Sequence, residues 1–351
     1  MNGLPLEALL GQIRAPDPRL ALAAQAHLDR LTKPRGSLGR LEELAARLVV
    51  ITGQELPRID APVIFTLAGD HGVVAEGVSA YPQAVTAQMV ENFCRGGAAV
   101  NALARHVGTR VIVADLGVAA ELSAHPGLVD RKVTAGTQNL ARGPAMTREQ
   151  ALTAIASGAA LVDDAEPDCV GTGEMGIGNT TAASTLTAAL TGADAHAVTG
   201  RGTGVDDATW TRKVDAVRRA LATNRPDPRD PLGVLAAVGG LEIAGLVGVV
   251  LAGAARRVPV VLDGFIATSA ALVAVRLRAE TREYLIAAHR SAEPGHGLLL
   301  ETLGLAPYLD LGMRLGEGTG AALGIGLLRA ALACYAGMAT FKDAGVSERL
   351  S

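Results

Sequence analysis

Six short apolar runs recur between residues 60 and 290 and limit the fold more than any other feature of the sequence. They cover residues 63–68, 110–114, 168–171, 197–199, 259–262 and 284–287. Successive runs start roughly 25 to 60 residues apart, which leaves room for a crossover helix between each pair of strands. We therefore predict an α/β protein in which these runs form a parallel sheet and helices fill the connections.

The composition fits such a sheet and argues against several classes of partner. Hydrophobic residues make up 49% of the 351 residues but aromatic residues only 3%, so we expect a core of Ala, Val, Leu and Ile. The net charge is −3 and no basic stripe with interleaved aromatic residues is found, which argues against a nucleic-acid partner. Cys94, Cys169 and Cys334 lack the spacing of a disulfide framework or a zinc site, as expected in a reducing cytosol.

Neither a targeting segment nor a membrane span is predicted. Residues 1–14 lack a basic stretch followed by an apolar one, so no signal peptide is expected. Residues 234–255 are apolar enough to raise the question of a span, but they contain Glu242 and five glycines, which favours a buried helix. We therefore expect a cytoplasmic protein without a membrane partner.

The most glycine-rich loop of the chain follows the third apolar run. Residues 171–184 read GTGEMGIGNTTAAS. Glycines allow the backbone to approach a ligand closely, and the helical turn that starts near Asn179 offers free N–H groups to an anion. The segment predicts a phosphate site, although a tight turn that only packs helix on sheet would use the same residues. Gly171, Gly173 and Gly176 also match the G-x-G-x-x-G spacing of dinucleotide-binding proteins.

Polar groups follow each predicted strand, in most cases next to glycine. Parallel strands place their carboxyl ends at one edge of the sheet, where open α/β sheets bind ligands. The six sets together therefore favour a shared site over ordinary turn chemistry at six separate places. They comprise Asp70 and His71, Asp115, Glu174, residues 200–204, Asp263, and residues 289–291.

A second carboxylate of interest, Glu317, stands in the glycine-rich segment 312–320. The residues after it, up to Tyr335, are almost wholly apolar, so the start of this helix is expected to be buried. Burial raises the pKa of a carboxyl group, which suits a general base near neutral pH. A carboxylate that only complements the helix dipole would have the same sequence context.

Seven motifs follow one another along almost the whole chain. They are KPRGSLGR (33–40), AGDHGV (68–73), GEMGIGNTTAAS (173–184), GRGTGVD (200–206), LDGFIATS (262–269), HRSAEP (289–294) and LGEGTGA (315–321). In this order and spacing the chain resembles the nicotinate-nucleotide–dimethylbenzimidazole phosphoribosyltransferase family of cobalamin synthesis. The resemblance implies a doubly wound, Rossmann-like sheet of six parallel strands in a large domain of residues 58–302. It also implies a small helical domain built from residues 1–57 and 303–351, and a homodimer.

The reaction implied by the resemblance takes nicotinate mononucleotide and dimethylbenzimidazole to α-ribazole phosphate and nicotinate, with inversion at the anomeric carbon of ribose. The resemblance puts the catalytic base at Glu317 and a second carboxylate near the reacting centre at Glu174. The implied contacts of the nucleotide phosphate are Gly176, Ile177, Gly178, Asn179, Thr180, Gly202, Thr203, Gly204, Lys213 and Ser291. The implied contacts of the accepting base are Tyr81, Gln88 and Leu315.

No metal or cofactor is expected for this reaction. The ring nitrogen of nicotinate mononucleotide is quaternary, so nicotinate leaves neutral at nitrogen and needs no cation to expel it. Transferases that use phosphoribosyl pyrophosphate hold Mg²⁺ with paired acids after a strand, where this chain offers the single Asp263. Three alternatives stay open: another aromatic base such as adenine or a phenol, a nucleotide-binding module without catalysis, and an NAD-dependent dehydrogenase.

Overall fold

A sheet of six parallel strands runs through the structure, a computed structural model that describes residues 5–347. The strands are β1 (Pro62–Gly69), β2 (Arg110–Gly117), β3 (Leu128–Asp130), β4 (Cys169–Met175), β5 (Val260–Leu262) and β6 (Leu285–Ala287). Their order across the sheet is β3-β2-β1-β4-β5-β6, and all neighbours pair in parallel. The predicted α/β class with a six-stranded parallel sheet is confirmed.

One of the six predicted strands is wrong, and another strand takes its place. Residues 197–199 fall in and just after the short helix Ala195–Val198, because the Asp194 side chain caps that helix by accepting the N–H of His196 at 2.8 Å. The strand that the sequence does not predict is β3, which has only three residues and is partly exposed at the sheet edge. So short an edge strand carries no clear apolar run.

Helices fill the connections between the strands. They are α1 (Leu6–Gln12), α2 (Leu20–Leu28), α3 (Arg40–Thr52), α4 (Val85–Cys94), α5 (Ala99–His106), α6 (Arg148–Ala165), α7 (Asn179–Thr191), α8 (Ala195–Val198), α9 (Asp207–Asn224), α10 (Pro231–Val238), α11 (Leu241–Ala255), α12 (Phe265–Leu277), α13 (Pro294–Leu303), α14 (Thr319–Gly337) and α15 (Phe341–Ala344), with 3₁₀ turns at Gly72–Glu76 and Ala279–Tyr284.

Helices cover both faces of the sheet. On one face Leu67 of β1 lies against Gly245 of α11, and on the other Ile64 lies against Gly318 at the start of α14. β1 is buried along its whole length, as expected for a central parallel strand covered on both sides. The sheet is therefore doubly wound, with the strand order of Rossmann folds. That order reverses between β1 and β4, and such folds bind ligands beside this point, at the carboxyl ends of the strands.

Two segments of the chain are apolar enough to be compared with membrane-spanning helices. Residues 234–255 form two helices separated at Gly239 and Gly240, and α11 is buried from Leu241 to Ala254, including Glu242. By length and composition α14 could cross a membrane, and half of its apolar stretch is buried in the fold. Because α14 packs against β1, β4 and β5, it serves here as a core helix of the α/β domain.

The two ends of the described chain meet. Leu31 pairs with Thr340 in an isolated antiparallel bridge, α2 packs against α3, and α3 packs against α14. The apolar residues of α2 and α3 also belong to the same hydrophobic core as those of the sheet. The division into a large domain of residues 58–302 and a small domain made from both termini stays a prediction.

Candidate active site

A cavity of about 450 Å³ lies at the carboxyl ends of β4, β5 and β6. The loops after these strands line it, together with the segment that precedes α14. The structure brings most of the predicted site residues to this one cavity. They are Tyr81, Glu174, Gly176, Ile177, Asn179, Thr180, Gly202, Thr203, Ser291, Leu315 and Glu317.

Four predicted site residues lie outside this lining. Gly178 belongs to the loop between β4 and α7, and Gly204 to the loop between α8 and α9; other residues of both loops line the cavity. Lys213 lies behind these loops. Gln88 is exposed on α4 and lines a separate cavity of about 260 Å³. A contact between Gln88 and the accepting base therefore stays a prediction.

The loop between β4 and α7 forms the candidate phosphate cradle. Gly178 precedes α7 with a φ of +95°, a backbone conformation that favours glycine. The loop is anchored by the N–H of Ile177, which donates to the buried Thr86 hydroxyl at 3.1 Å. Asn179 and Thr180 then open α7 at the cavity, where the partial positive charge of a helix N-terminus favours an anion.

Lys213 joins this cradle to the second loop, residues 200–206. Its Nζ donates to the Thr180 hydroxyl at 2.8 Å and to the carbonyl oxygen of Gly200 at 3.1 Å. Lys213 is 1% exposed, and burial lowers its pKa to about 8. The ammonium group therefore remains mostly protonated at pH 7 and adds positive charge behind the cradle.

Glu174, near the end of β4, is a buried carboxyl group at the cavity wall. The Asn179 side-chain amide donates to its Oε2. Burial raises the pKa of Glu174 to about 8, and the carboxylates of Asp263, Glu242 and Glu317 add to the rise. At pH 7 this carboxyl group is therefore mostly protonated.

The backbone at Glu317 adopts a conformation that is uncommon for residues other than glycine. Its φ is +65°, between values of +85° at Gly316 and +103° at Gly318. The loop is tightly packed, since a Cβ on Gly173 would lie 2.3 Å from the carbonyl oxygen of Glu317. Thr66 donates to that same oxygen at 2.8 Å. The middle of β1 and the middle of β4 together therefore fix the position of Glu317.

The Glu317 side chain is 6% exposed and lines the same cavity as Glu174. Its Oε2 accepts the N–H of Val100, in the first turn of α5, at 3.4 Å. Burial raises the pKa of Glu317 above its ordinary value. Two carboxyl groups with different environments on one cavity are typical of sites that perform acid–base chemistry.

Known proteins resemble this chain along nearly its full length. A family model described as Phosphoribosyltransferase matches residues 13–346. The chain is 55% identical to the nicotinate-nucleotide–dimethylbenzimidazole phosphoribosyltransferase of Geobacter metallireducens over 346 residues, 98% of each chain. It is also 55% identical to that of Chloroflexus aggregans over 336 residues, 95% of each chain. The crystal structure of the Thermus thermophilus enzyme matches with a TM-score of 0.90 and 49% identity, over 95% of this chain and 100% of that one.

The chain belongs to this phosphoribosyltransferase family. The resemblance seen in the seven motifs is thus confirmed, and with it the doubly wound fold class.

Asp263 has a structural role in this phosphoribosyltransferase that the sequence does not reveal. Its Oδ2 accepts the N–H of Gly318 at 2.9 Å, and its Oδ1 accepts the N–H of Gly320 at 2.6 Å. Asp263 is 2% exposed, and burial raises its pKa to about 7, against the lowering effect of these donors. The carboxyl group at the end of β5 therefore caps α14 and holds the loop that carries Glu317. From the sequence alone, Asp263 is only an acidic residue that follows a predicted strand.

Arg314 lines the cavity but is not among the site residues predicted from the sequence. Its Nη1 donates to the carbonyl oxygen of Gly202 at 2.7 Å, so the guanidinium group lies against the second loop. Its position three residues before Glu317, in the same glycine-rich segment, is the signal that could have identified it. Together with Lys213 it places two cations at the end of the cavity where α7 begins.

The His, Cys, Asp and Glu side chains of residues 5–347 form no group of three or more that could hold a metal ion. Cys94, Cys169 and Cys334 are free thiols, and burial raises the pKa of Cys169. Asp263 follows a strand, as do the paired acids that hold Mg²⁺ in transferases that use phosphoribosyl pyrophosphate. Both of its carboxylate oxygens accept backbone N–H groups.

Proposed function

We propose that this chain transfers the phosphoribosyl group of nicotinate mononucleotide to dimethylbenzimidazole, giving α-ribazole phosphate and nicotinate in the assembly of the cobalamin nucleotide loop. Relatives that are about 55% identical over the whole chain carry the name of this reaction. The structural observation that carries the proposal is the pair of buried carboxyl groups, Glu174 and Glu317, on one cavity that also receives the N-terminus of α7.

The nucleotide phosphate would bind at the start of α7. The helix end, the Thr180 hydroxyl and the cations of Lys213 and Arg314 are the positive and donor groups at this end of the cavity. Ser291 lines the cavity from the loop after β6 and offers a further hydroxyl group. A nucleotide whose phosphate is bound there would place its ribose along the cavity, toward the two carboxyl groups.

Glu317 would act as the general base. The attacking nitrogen of dimethylbenzimidazole forms the new bond to the anomeric carbon, and the N–H on its second nitrogen must lose a proton. Burial raises the pKa of Glu317 above its ordinary value, so its carboxylate accepts this proton more readily than an ordinary carboxylate does. Attack on the face opposite nicotinate inverts the configuration from β to α. Holding the two planar substrates in line supplies much of the acceleration.

Glu174 would respond to the charge of the substrate. It is mostly protonated in the free protein at pH 7, so it is not the base in that state. The cationic pyridinium ring of nicotinate mononucleotide would lower its pKa and favour ionisation. The resulting carboxylate could stabilise the positive charge that develops at the anomeric carbon as nicotinate departs.

A homodimer in the cytoplasm is part of the proposal. Tyr81 and Leu315, two large apolar side chains, are 54% and 58% exposed at the rim of the cavity. Apolar surface exposed at one place is typical of protein–protein interfaces. A second copy of the chain that packs on this rim would cover both side chains. Sedimentation tests this point, and a monomer at micromolar concentration would overturn it.

The test of the reaction is to incubate the purified protein with nicotinate mononucleotide and dimethylbenzimidazole, without added metal, and to follow both products by mass spectrometry. Release of nicotinate that depends on the base, together with α-ribazole phosphate, is the expected result. Adenine and a phenol in place of dimethylbenzimidazole reveal whether another acceptor is preferred. Binding of the nucleotide without release of nicotinate under any of these conditions would refute catalysis and leave a binding module.

A further inference from the structure

A buried histidine–glutamate pair lies at the switch point of the sheet, and the proposed chemistry makes no use of it. His71 follows β1, and Glu242 is the second residue of α11. Nε2 of His71 lies 2.7 Å from Oε1 of Glu242, and both side chains are completely buried. Their other polar atoms, Nδ1 and Oε2, have no hydrogen-bond partner among the described residues. Burying two such groups opposes folding, which points to a role other than packing.

Three glycines, one at the end of β1 and two in the loop between β4 and α7, contact the pair. A Cβ on Gly176 would lie 3.3 Å from both Glu242 Oε1 and His71 Nε2, and 2.3 Å from the carbonyl oxygen of Gly69. A Cβ on Gly178 would lie 3.3 Å from the Cβ of His71, and one on Gly69 would lie 2.9 Å from Glu242 Oε2. The end of β1, the start of α11 and the loop between β4 and α7 therefore all pack against these two side chains.

We propose that His71 and Glu242 are positioning residues for the phosphoribosyl transfer, because they fix the loop 176–178 from behind. Glu174 lies two residues before this loop and α7 begins directly after it. Fixing this loop therefore positions both the Glu174 carboxyl group and the N-terminus of α7, which would face the phosphate. The inference rests on the proposed function for its catalytic consequence, but not for its effect on the loop.

The first experiment measures the loop directly, by hydrogen–deuterium exchange of the peptide that spans residues 174–180. His71→Leu removes both ring nitrogens, whereas His71→Gln keeps an amide N–H near the position of Nε2. Asp168→Asn is the matched control, because Asp168 precedes the opposite end of β4, where its Oδ2 accepts the N–H of Ala61 at 2.8 Å. We expect faster exchange in His71→Leu only. Wild-type exchange in His71→Leu would overturn the proposal.

The second experiment measures steady-state kinetics in the same variants. A displaced loop should lower kcat of His71→Leu by up to about 100-fold and raise KM for nicotinate mononucleotide, with KM for dimethylbenzimidazole unchanged. His71→Gln should recover most of this loss. Equal losses in His71→Leu and Asp168→Asn would overturn the proposal. Where His71→Leu does not fold, Glu242→Ala takes its place, with Glu242→Gln as the conservative variant. Faster exchange and a lower kcat than in Asp168→Asn are then expected of Glu242→Ala, and equal values in these two variants would overturn the proposal.

The outcomes distinguish failure of the inference from failure of the reaction. If the wild type releases no nicotinate but His71→Leu exchanges faster at residues 174–180, the support of the loop stands and the reaction is wrong. If the wild type turns over and His71→Leu matches it in exchange and kcat, the reaction stands and the positioning role is wrong.

Discussion

Replacing Glu174 by glutamine is expected to stabilise the protein at alkaline pH. Burial raises the pKa of Glu174 from its ordinary 4.5 to about 8 in the folded protein. Between these two values the unfolded chain ionises this group while the folded protein keeps it protonated, so rising pH favours the unfolded state. The contribution of Glu174 to stability is therefore complete below pH 4.5 and is lost as the pH rises through 8.

The size of this loss follows from the two pKa values. Their difference corresponds to at most about 5 kcal/mol, because one pH unit is worth about 1.4 kcal/mol. The loss is about 1 kcal/mol at pH 5, about 3 kcal/mol at pH 7 and close to the maximum at pH 9. Glutamine does not ionise, and its carbonyl oxygen can accept the hydrogen bond from Asn179. The advantage of Glu174→Gln over the wild type should therefore grow steadily from pH 5 to pH 9.

Denaturant unfolding at pH 5, 7 and 9, followed by circular dichroism, measures this difference. The control is Glu301→Gln, which makes the same substitution at an exposed carboxylate of α13 outside the cavity. A difference between Glu174→Gln and the wild type that is equal at pH 5 and pH 9 would refute the reasoning. It would mean that the folded protein does not hold the Glu174 proton across this range.

Three further predictions concern the cavity. Glu317→Gln should fold as the wild type does and lose about 100-fold or more of its nicotinate release, as expected for loss of a general base, whereas near-wild-type turnover would exclude that role. Gly316→Ala puts a Cβ 2.3 Å from Glu174 Oε1 and should lower kcat about tenfold. Gly312→Ala is the control, because Gly312 also has a positive φ but its added Cβ would have no atom within 4 Å. Equal kcat values in the two variants would show that the contact with Glu174 does not matter. Because the pKa of Lys213 is about 8, kcat/KM for nicotinate mononucleotide should fall from pH 7 to pH 9 in the wild type, and this part of the fall should be absent in Lys213→Met.

The sequence predicts best those strands that are buried between two layers of helices. β1 is buried at all eight positions, and its continuous apolar run is found directly from residue types. Residues 197–199 carry a similar run, but a capping carboxylate at Asp194 turns the segment into a helix. At the sheet edge, β3 needs only three residues and pairs with β2 because of its position in space. Local patterns therefore find the centre of the sheet and fail where neighbours decide the outcome.

In the candidate site, too, some residues can be predicted from local sequence and others cannot. Glu174 and Glu317 each stand in a glycine-rich segment with a buried helix behind it, so their context is readable along the chain. The hydrogen bonds from Gly318 and Gly320 to Asp263 join residues more than fifty positions apart, and nothing local indicates them. The pairing of His71 with Glu242 spans a still longer separation. Sequence reasoning thus found the groups that face the cavity more readily than those that hold them in place.

The backbone at Glu317 shows why these supports matter. Four non-glycine residues of the described chain have positive φ, and three of them, Glu166, Arg225 and Arg257, lie at or just after the C-terminal ends of helices, where this conformation is routine. Glu317 instead lies before the start of α14, and the conformation costs about 1–3 kcal/mol for a residue with a side chain. A glycine would remove this cost together with the carboxyl group. The fold therefore keeps a strained residue where a carboxylate enters the cavity, and the hydrogen bonds from the buried Thr66 and to Asp263 hold that loop in place.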